Sequence, residues 1–143
     1  MKKFVFELQD VLEFRKFEEE QAQAELGKAL AVENEINSNL QQIAMQYASL
    51  KNQMKGSRNF EDIMSQSKYT NLLNYQKEEL LKQLAEAKLV SEEKRKILQE
   101  IMQKTTALEK LKEKQLDEYR AAADFEENEM MDDLATQKGA VQV

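Results

Sequence analysis

The chain has no cysteine, no histidine, no proline and no tryptophan, and only three glycines among its 143 residues. Each absence excludes something. Without cysteine there is no disulfide, thiol nucleophile, redox pair or Cys-ligated zinc. Without histidine, the Ser-His and Cys-His triads, the usual base near neutral pH and every His-ligated metal site fall away. Gly27, Gly56 and Gly139 are too far apart to form a Gly-rich phosphate loop. No apolar run approaches the roughly 20 residues needed to span a bilayer, so no membrane insertion is expected. The start, Met1-Lys2-Lys3-Phe4-Val5-Phe6, resembles the opening of a signal peptide, but Glu7 and Asp10 interrupt it before an apolar stretch forms. The expected location is cytoplasmic. A net charge of -6 and a pI near 4.9 argue against nucleic acid as the main partner. No metal or cofactor is expected.

What is present is helix-forming. Ala, Glu, Lys, Leu and Arg supply about half of the chain. A mean hydropathy of -0.74 argues against a thick globular core and for apolar residues gathered on a narrow seam. The strongest break runs from Lys55 and Gly56 to Asp62. Gly56 suits a left-handed helix end, and Asn59 with Asp62 three residues later resembles a helix start. The reading is all-α: a single elongated domain over 1–143, built as a long antiparallel two-helix coiled-coil hairpin. Helix 1 is expected over about 4–55, the turn over about 56–66 and helix 2 over about 67–137. An intermolecular bundle of two chains would show the same periodicity.

In helix 1, alternate steps of four and three from Ala22 give Leu26, Ala29, Glu33, Ile36, Leu40, Ile43, Tyr47, Leu50 and Met54, with Glu33 the one misfit. Upstream, Phe4, Leu8, Val11 and Arg15 form a stripe whose junction with Ala22 needs a phase slip. In helix 2 the seam reads Tyr69, Leu73, Gln76, Leu80, Gln83 or Leu84, Ala87, Val90, Lys94, Ile97, Ile101, Lys104, Leu108 and Leu111. Helix 2 at about 70 residues would reach roughly 105 Å, and helix 1 at about 50 residues roughly 75 Å. The C-terminal 20 or so residues should then project past helix 1 or meet something else. Glu78 with Lys82, Glu92 with Lys96, and Glu100 with Lys104 are spaced for helix-surface ion pairs. Gly27 is either a site of close helix approach or a tolerated surface glycine.

Three places depart from a uniform coiled coil. Four of the six phenylalanines, Phe4, Phe6, Phe14 and Phe17, lie within the first seventeen residues. On a helix Phe4 and Phe6 would point about 200° apart, so they cannot share one seam. Either the end of helix 2, Ala122 to Leu134, covers this cluster, or it is a partner-binding end. Second, Asp124, Glu126, Glu127, Glu129, Asp132 and Asp133 carry no compensating base and sit at a helix C-terminus, where the macrodipole disfavours them. They are a solvated run or face a basic partner. Third, Tyr47, Phe60, Tyr69, Leu72, Leu73 and Tyr75 flank the turn. Tyr47 and Tyr69 fall on the seams, whereas Leu72 and Tyr75 fall off them and suit a transient interface. Adjacent carboxylates such as Glu92 and Glu93 point about 100° apart on a helix and imply no concave site, so the chain is read as no enzyme.

Phe4-Val5-Phe6-Glu7-Leu8, followed by Val11-Leu12 and Arg15, resembles the opening of the FliJ family of flagellar export proteins. Leu108-Glu109-Lys110-Leu111-Lys112-Glu113-Lys114 and Tyr119 resemble the middle of that family's helix 2, and Glu126, Glu129 and Asp132-Asp133 resemble its acidic C-terminal element. The resemblance covers about residues 3–136. It implies a coiled-coil hairpin similar to the central stalk of rotary ATPases, working in the flagellar type III export apparatus at the cytoplasmic face of the inner membrane at the flagellar base. Such a stalk binds the hexameric flagellar export ATPase, promotes its assembly and activity, contacts the export-gate membrane protein and, in some members, handles export chaperones. It thereby serves flagellum assembly, motility and chemotaxis. By resemblance, the ATPase-binding residues would be Phe4, Phe6, Leu8, Leu12, Arg15, Glu126, Glu129, Asp132 and Asp133. The gate-binding residues would be Leu40, Ile43, Tyr47, Tyr69, Leu72 and Tyr75, with polar Gln76 where an apolar residue is expected. The rival readings are the equivalent stalk of an injectisome, a self-associating coiled-coil scaffold without an ATPase partner, and a holdase chaperone.

Overall fold

The computed structural model describes residues 2–56 and 59–141, with side chains through 139, and no strand occurs among them. The chain is an all-α helical hairpin of α1 (Gln9–Met54) and α2 (Phe60–Val141). Its contacts divide it into two compact units, Met1–Glu19 with Glu100–Val143, and Glu20–Gln99.

In the first unit, residues 2–8 stay outside the helix, where an α1 starting near Phe4 was expected. Their burial alternates. Phe6 is buried, Phe4 half-buried and Val5 between them 75% exposed. A period of two belongs to an extended segment, which sends residues i and i+2 to one side. A helix would have turned one of the two rings to solvent. The Phe4 ring rests tilted on Tyr119, with centroids 5.5 Å apart, and the Tyr119 hydroxyl donates to the Lys2 carbonyl. The Gln9 amide closes on the Phe6 carbonyl at 3.1 Å as α1 begins. Lys112 Nζ donates to Gln9 Oε1 at 2.7 Å, and Lys16 lies 3.8 Å from Glu109. These pairings ascend along α1 and descend along α2, so the packing is antiparallel.

Leu12 is the anchor of this unit at 1% exposure, while Val11, expected on the stripe, is 41% exposed. From Leu12 the half-buried and buried positions run Arg15, Glu19 and Ala22 in regular steps of three and four. The expected phase slip is therefore not needed.

The second unit packs Ala22, Ala29, Ile36 and Leu50 of α1 with Leu73, Ala87 and Ser91 of α2. The α1 seam follows its expected heptads, except that Tyr47 and Met54 are exposed. The α2 seam differs from expectation. Val90 and Ile97 are 46% and 40% exposed, while Ser91 is buried and Leu98 half-buried. The observed run Leu80, Leu84, Ala87, Ser91, Lys94, Leu98 shares Leu80, Ala87 and Lys94 with the expected seam and takes Ser91 and Leu98 in place of their neighbours Val90 and Ile97. The buried Ser91 hydroxyl is satisfied because it donates to the carboxylate of Glu33, the one polar residue on the facing seam. The same phase continues into the first unit, where buried Thr105 donates to the Ile101 carbonyl at 3.0 Å.

At the turn, α2 begins at Phe60 rather than near Ser67. Asn59 is its cap: Oδ1 accepts from the Glu61 amide at 3.2 Å, and the Asn59 carbonyl accepts from Ile63 at 3.0 Å. Glu61 and Asp62 occupy the first turn, where the helix dipole favours acids. Gly56 does not take the left-handed conformation expected of it, since no described glycine has a positive φ. Its amide instead closes on Gln53 at 3.3 Å, a three-residue step that tightens the last turn. Ser57 and Arg58, expected in the turn, lie outside the described residues.

Two surface details also settle. A Cβ at Gly27 would meet nothing within 4 Å, so Gly27 is a surface glycine and not a point of close approach. The exposed ion pairs use steps of three, Glu79 with Lys82 at 3.6 Å and Glu92 with Arg95 at 3.9 Å, rather than the expected steps of four.

Candidate functional site

The first candidate surface belongs to the first unit. Every described α2 side chain from Asp124 to Gly139 is exposed. No described residue of α1 or of the N-terminal segment covers this stretch, so the cluster of phenylalanines is not sheltered by it. The acids Asp124, Glu126, Glu127, Glu129, Asp132 and Asp133 therefore stand in solvent together with Phe125, Met130, Met131 and Leu134, which are 55–65% exposed.

The residues of the expected ATPase-binding set divide by burial. Glu126, Glu129, Asp132 and Asp133 are fully accessible. Leu8 is exposed at 38%. Phe4 is half-buried on Tyr119, and Arg15 is held by Glu18 at 2.9 Å. Phe6 and Leu12 are core residues, at 5% and 1% exposure. Phe14 and Phe17 present more surface, each 56% exposed, and lie three residues apart on one helix face.

The second candidate surface lies in the second unit, near the turn. The expected gate-binding residues do not form one patch there. Leu40, Ile43, Ala44 and Tyr47 line one side of the helix pair with Asn74, Lys77 and Leu81, around a groove of about 520 Å³. That groove is continued by Leu50, Lys51, Met54, Lys55 and Thr70. Tyr75 lies on the other side, with Asn39, Gln42, Gln46, Gln76, Glu79 and Gln83. Ile43 borders both sides. Leu72, three residues before Tyr75, and Tyr69, seven before Gln76, share that second side by helix spacing. Tyr69, Leu72 and Tyr75 are exposed at 40%, 49% and 63%.

The two sides differ in charge. The Leu40–Tyr47 side is lined by Lys51, Lys55 and Lys77 without a carboxylate, whereas the Tyr75 side carries Glu79 and a row of amides. Sequence reasoning passed over these lysines, because single lysines on a charged helix have no signal until two helices set the sides of the groove. Among the described residues, no group of three or more Asp or Glu could hold a metal ion. No helix among them is long and apolar enough to cross a membrane.

Comparison with known proteins returns one family. The family model described as Flagellar FliJ protein matches residues 4–142. No curated protein and no solved structure gives a significant match.

Proposed function

The chain belongs to the flagellar FliJ family, which gives it a role associated with flagellar type III export, and from that premise we propose that it is a non-catalytic stalk and general export chaperone. In this reading it binds the hexameric export ATPase, promotes its assembly and activity, and links it to the export-gate membrane protein, working at the cytoplasmic face of the membrane at the flagellar base. The observation that carries the ATPase contact is the uncovered acidic stretch of α2. Six carboxylates at a helix C-terminus oppose the macrodipole and gain nothing from their own chain, which fits a basic partner surface. Glu126, Glu129, Asp132 and Asp133 would make that contact, and Leu8 is a further exposed residue of the same unit. Phe4, Phe6, Leu12 and Arg15 would act by fixing the N-terminal segment on α2.

The gate contact would use the side that carries Tyr69, Leu72 and Tyr75, reached also by Ile43. These form an exposed stripe at three-residue steps, and tyrosine is a frequent anchor of interfaces. Leu40 and Tyr47, on the opposite side, would take no direct part in that contact.

Two variants separate these contacts. Glu126→Gln with Glu129→Gln, Asp132→Asn and Asp133→Asn should weaken binding to the ATPase about tenfold or more and leave binding to the gate protein unchanged. Leu72→Ala with Tyr75→Ala should do the reverse. If both variants lose both partners equally, the assignment of two separate contacts is wrong.

A further inference from the structure

The groove beside Tyr47 and the end of α2 are complementary. The groove is apolar at its floor, through Leu40, Ile43, Ala44, Tyr47 and Leu81. Its charged lining consists of Lys51, Lys55 and Lys77, three cations grouped on a chain whose net charge is -6. Among the described residues none of the three has an ion pair within 4.0 Å. A ligand matched to this lining is an amphipathic helix with apolar anchors and acidic flanks.

The chain itself carries such a helix. In α2 beyond Ala123, Met130, Met131 and Leu134 fall within about 100° of one another on the helix surface, and all three are more than half exposed. Glu126, Glu127 and Asp133 lie within or beside that stripe. Methionine is flexible enough to fill an irregular apolar groove, and the carboxylates would find the lysines that their own helix end lacks.

We propose that the acidic end of α2 in one copy docks in the lysine-lined groove of a second copy. The contact joins unlike surfaces and so is heterologous. It would hold ATPase-facing acids in reserve: a copy docked in this way cannot offer Glu126 and Asp133 to another partner, and releasing it would free the stalk for export. The proposal does not depend on the ATPase reading, because self-association is measured on the purified chain alone.

The test is sedimentation equilibrium of the full chain over a wide concentration range, at low salt and at about 0.5 M salt, where exposed charges are largely screened. Wild-type protein should associate with rising concentration at low salt and return to monomer at high salt. Lys51→Glu with Lys55→Glu and Lys77→Glu should raise the dissociation constant about tenfold or more. Glu126→Lys with Glu127→Lys and Asp133→Lys should do the same. All of these positions are exposed, and far-UV circular dichroism should show unchanged helicity. Mixing the two charge-reversed variants should restore association, since each then supplies the half the other has lost. A wild-type chain that stays monomeric at low salt overturns the proposal. So does association that survives the lysine reversal, or two variants that fail to recover when mixed.

Discussion

Ser91 and Glu33 show how a polar pair occupies a coiled-coil seam. Neither residue suits an apolar core alone, and a buried polar group without a partner costs about 1–3 kcal/mol. Facing each other across the two helices, they are satisfied together. Ser91→Ala should therefore lower stability by about 1 kcal/mol, while Glu33→Ala with Ser91→Ala should lose less than the sum of the two single changes. Urea denaturation followed by circular dichroism reads this, and strict additivity would mean the two side chains do not interact. Phe6 and Leu8 make a second contrast. They are two residues apart, but Phe6 is buried and Leu8 is at the surface. Phe6→Ala should cost about 3–5 kcal/mol and Leu8→Ala less than about 1 kcal/mol. Equal losses in thermal melts would mean the N-terminal segment is not packed as described. The sequence already held the clue to this segment, in the roughly 200° that a helix would place between Phe4 and Phe6. Alternating burial in an extended segment is the arrangement that lets both rings reach α2.

At the scale of the helices, what was legible followed from repetition. The α1 seam from Ala22 to Leu50 was readable because eight of its nine heptad positions are apolar and only Glu33 dissents. In the α2 seam beyond Ala87, Lys94, Ile101, Leu108 and Leu111 were legible, whereas Val90, Ile97 and Lys104 stand exposed beside Ser91, Leu98 and Thr105, which take the seam. Spacing does not separate the two runs, since both alternate steps of three and four and share Ala87, Lys94 and Ile101. The sides of the hairpin were not legible at all. Whether Tyr47 and Tyr75 meet depends on the register of two helices at once, and neither sequence alone contains it. The last turns of α2 are a different case. Helices without tertiary contacts are marginal in water below about 12–15 residues, and the stretch beyond Ala123 lacks both packing and a favourable end charge, apart from Lys138 in the last turn. Amide hydrogens of residues 124–139 should exchange much faster than those of residues 100–120, where Thr105 is buried and Lys112 pairs with Gln9. Addition of the export ATPase should slow them. Equal protection in the isolated chain would indicate a covering contact that the fold does not contain.

For the whole molecule, the family match over residues 4–142 and the placement of exposed groups lead to one account. The chain has few surfaces that are not explained by its own folding. Among the described residues they include the acidic end of α2, the stripe of Tyr69, Leu72 and Tyr75, the lysine-lined groove, and the exposed pair Phe14 and Phe17. The proposed functions give the first three a partner: the ATPase, the gate protein and a second copy. The N-terminal residues serve the first of these indirectly, so deleting them would remove Phe6 and Leu12 from the core and confuse misfolding with lost contact. Neutralising the exposed acids avoids that problem, because no packed side chain changes. The central measurement is ATP hydrolysis by the purified flagellar export ATPase, titrated with this protein and with Glu126→Gln, Glu129→Gln, Asp132→Asn, Asp133→Asn. The account predicts that the wild-type chain stimulates hydrolysis and that the neutralised chain, equally helical, needs about tenfold more protein for the same effect. Equal stimulation by both chains, or none by either, would contradict the assignment of the acidic end of α2 to the ATPase.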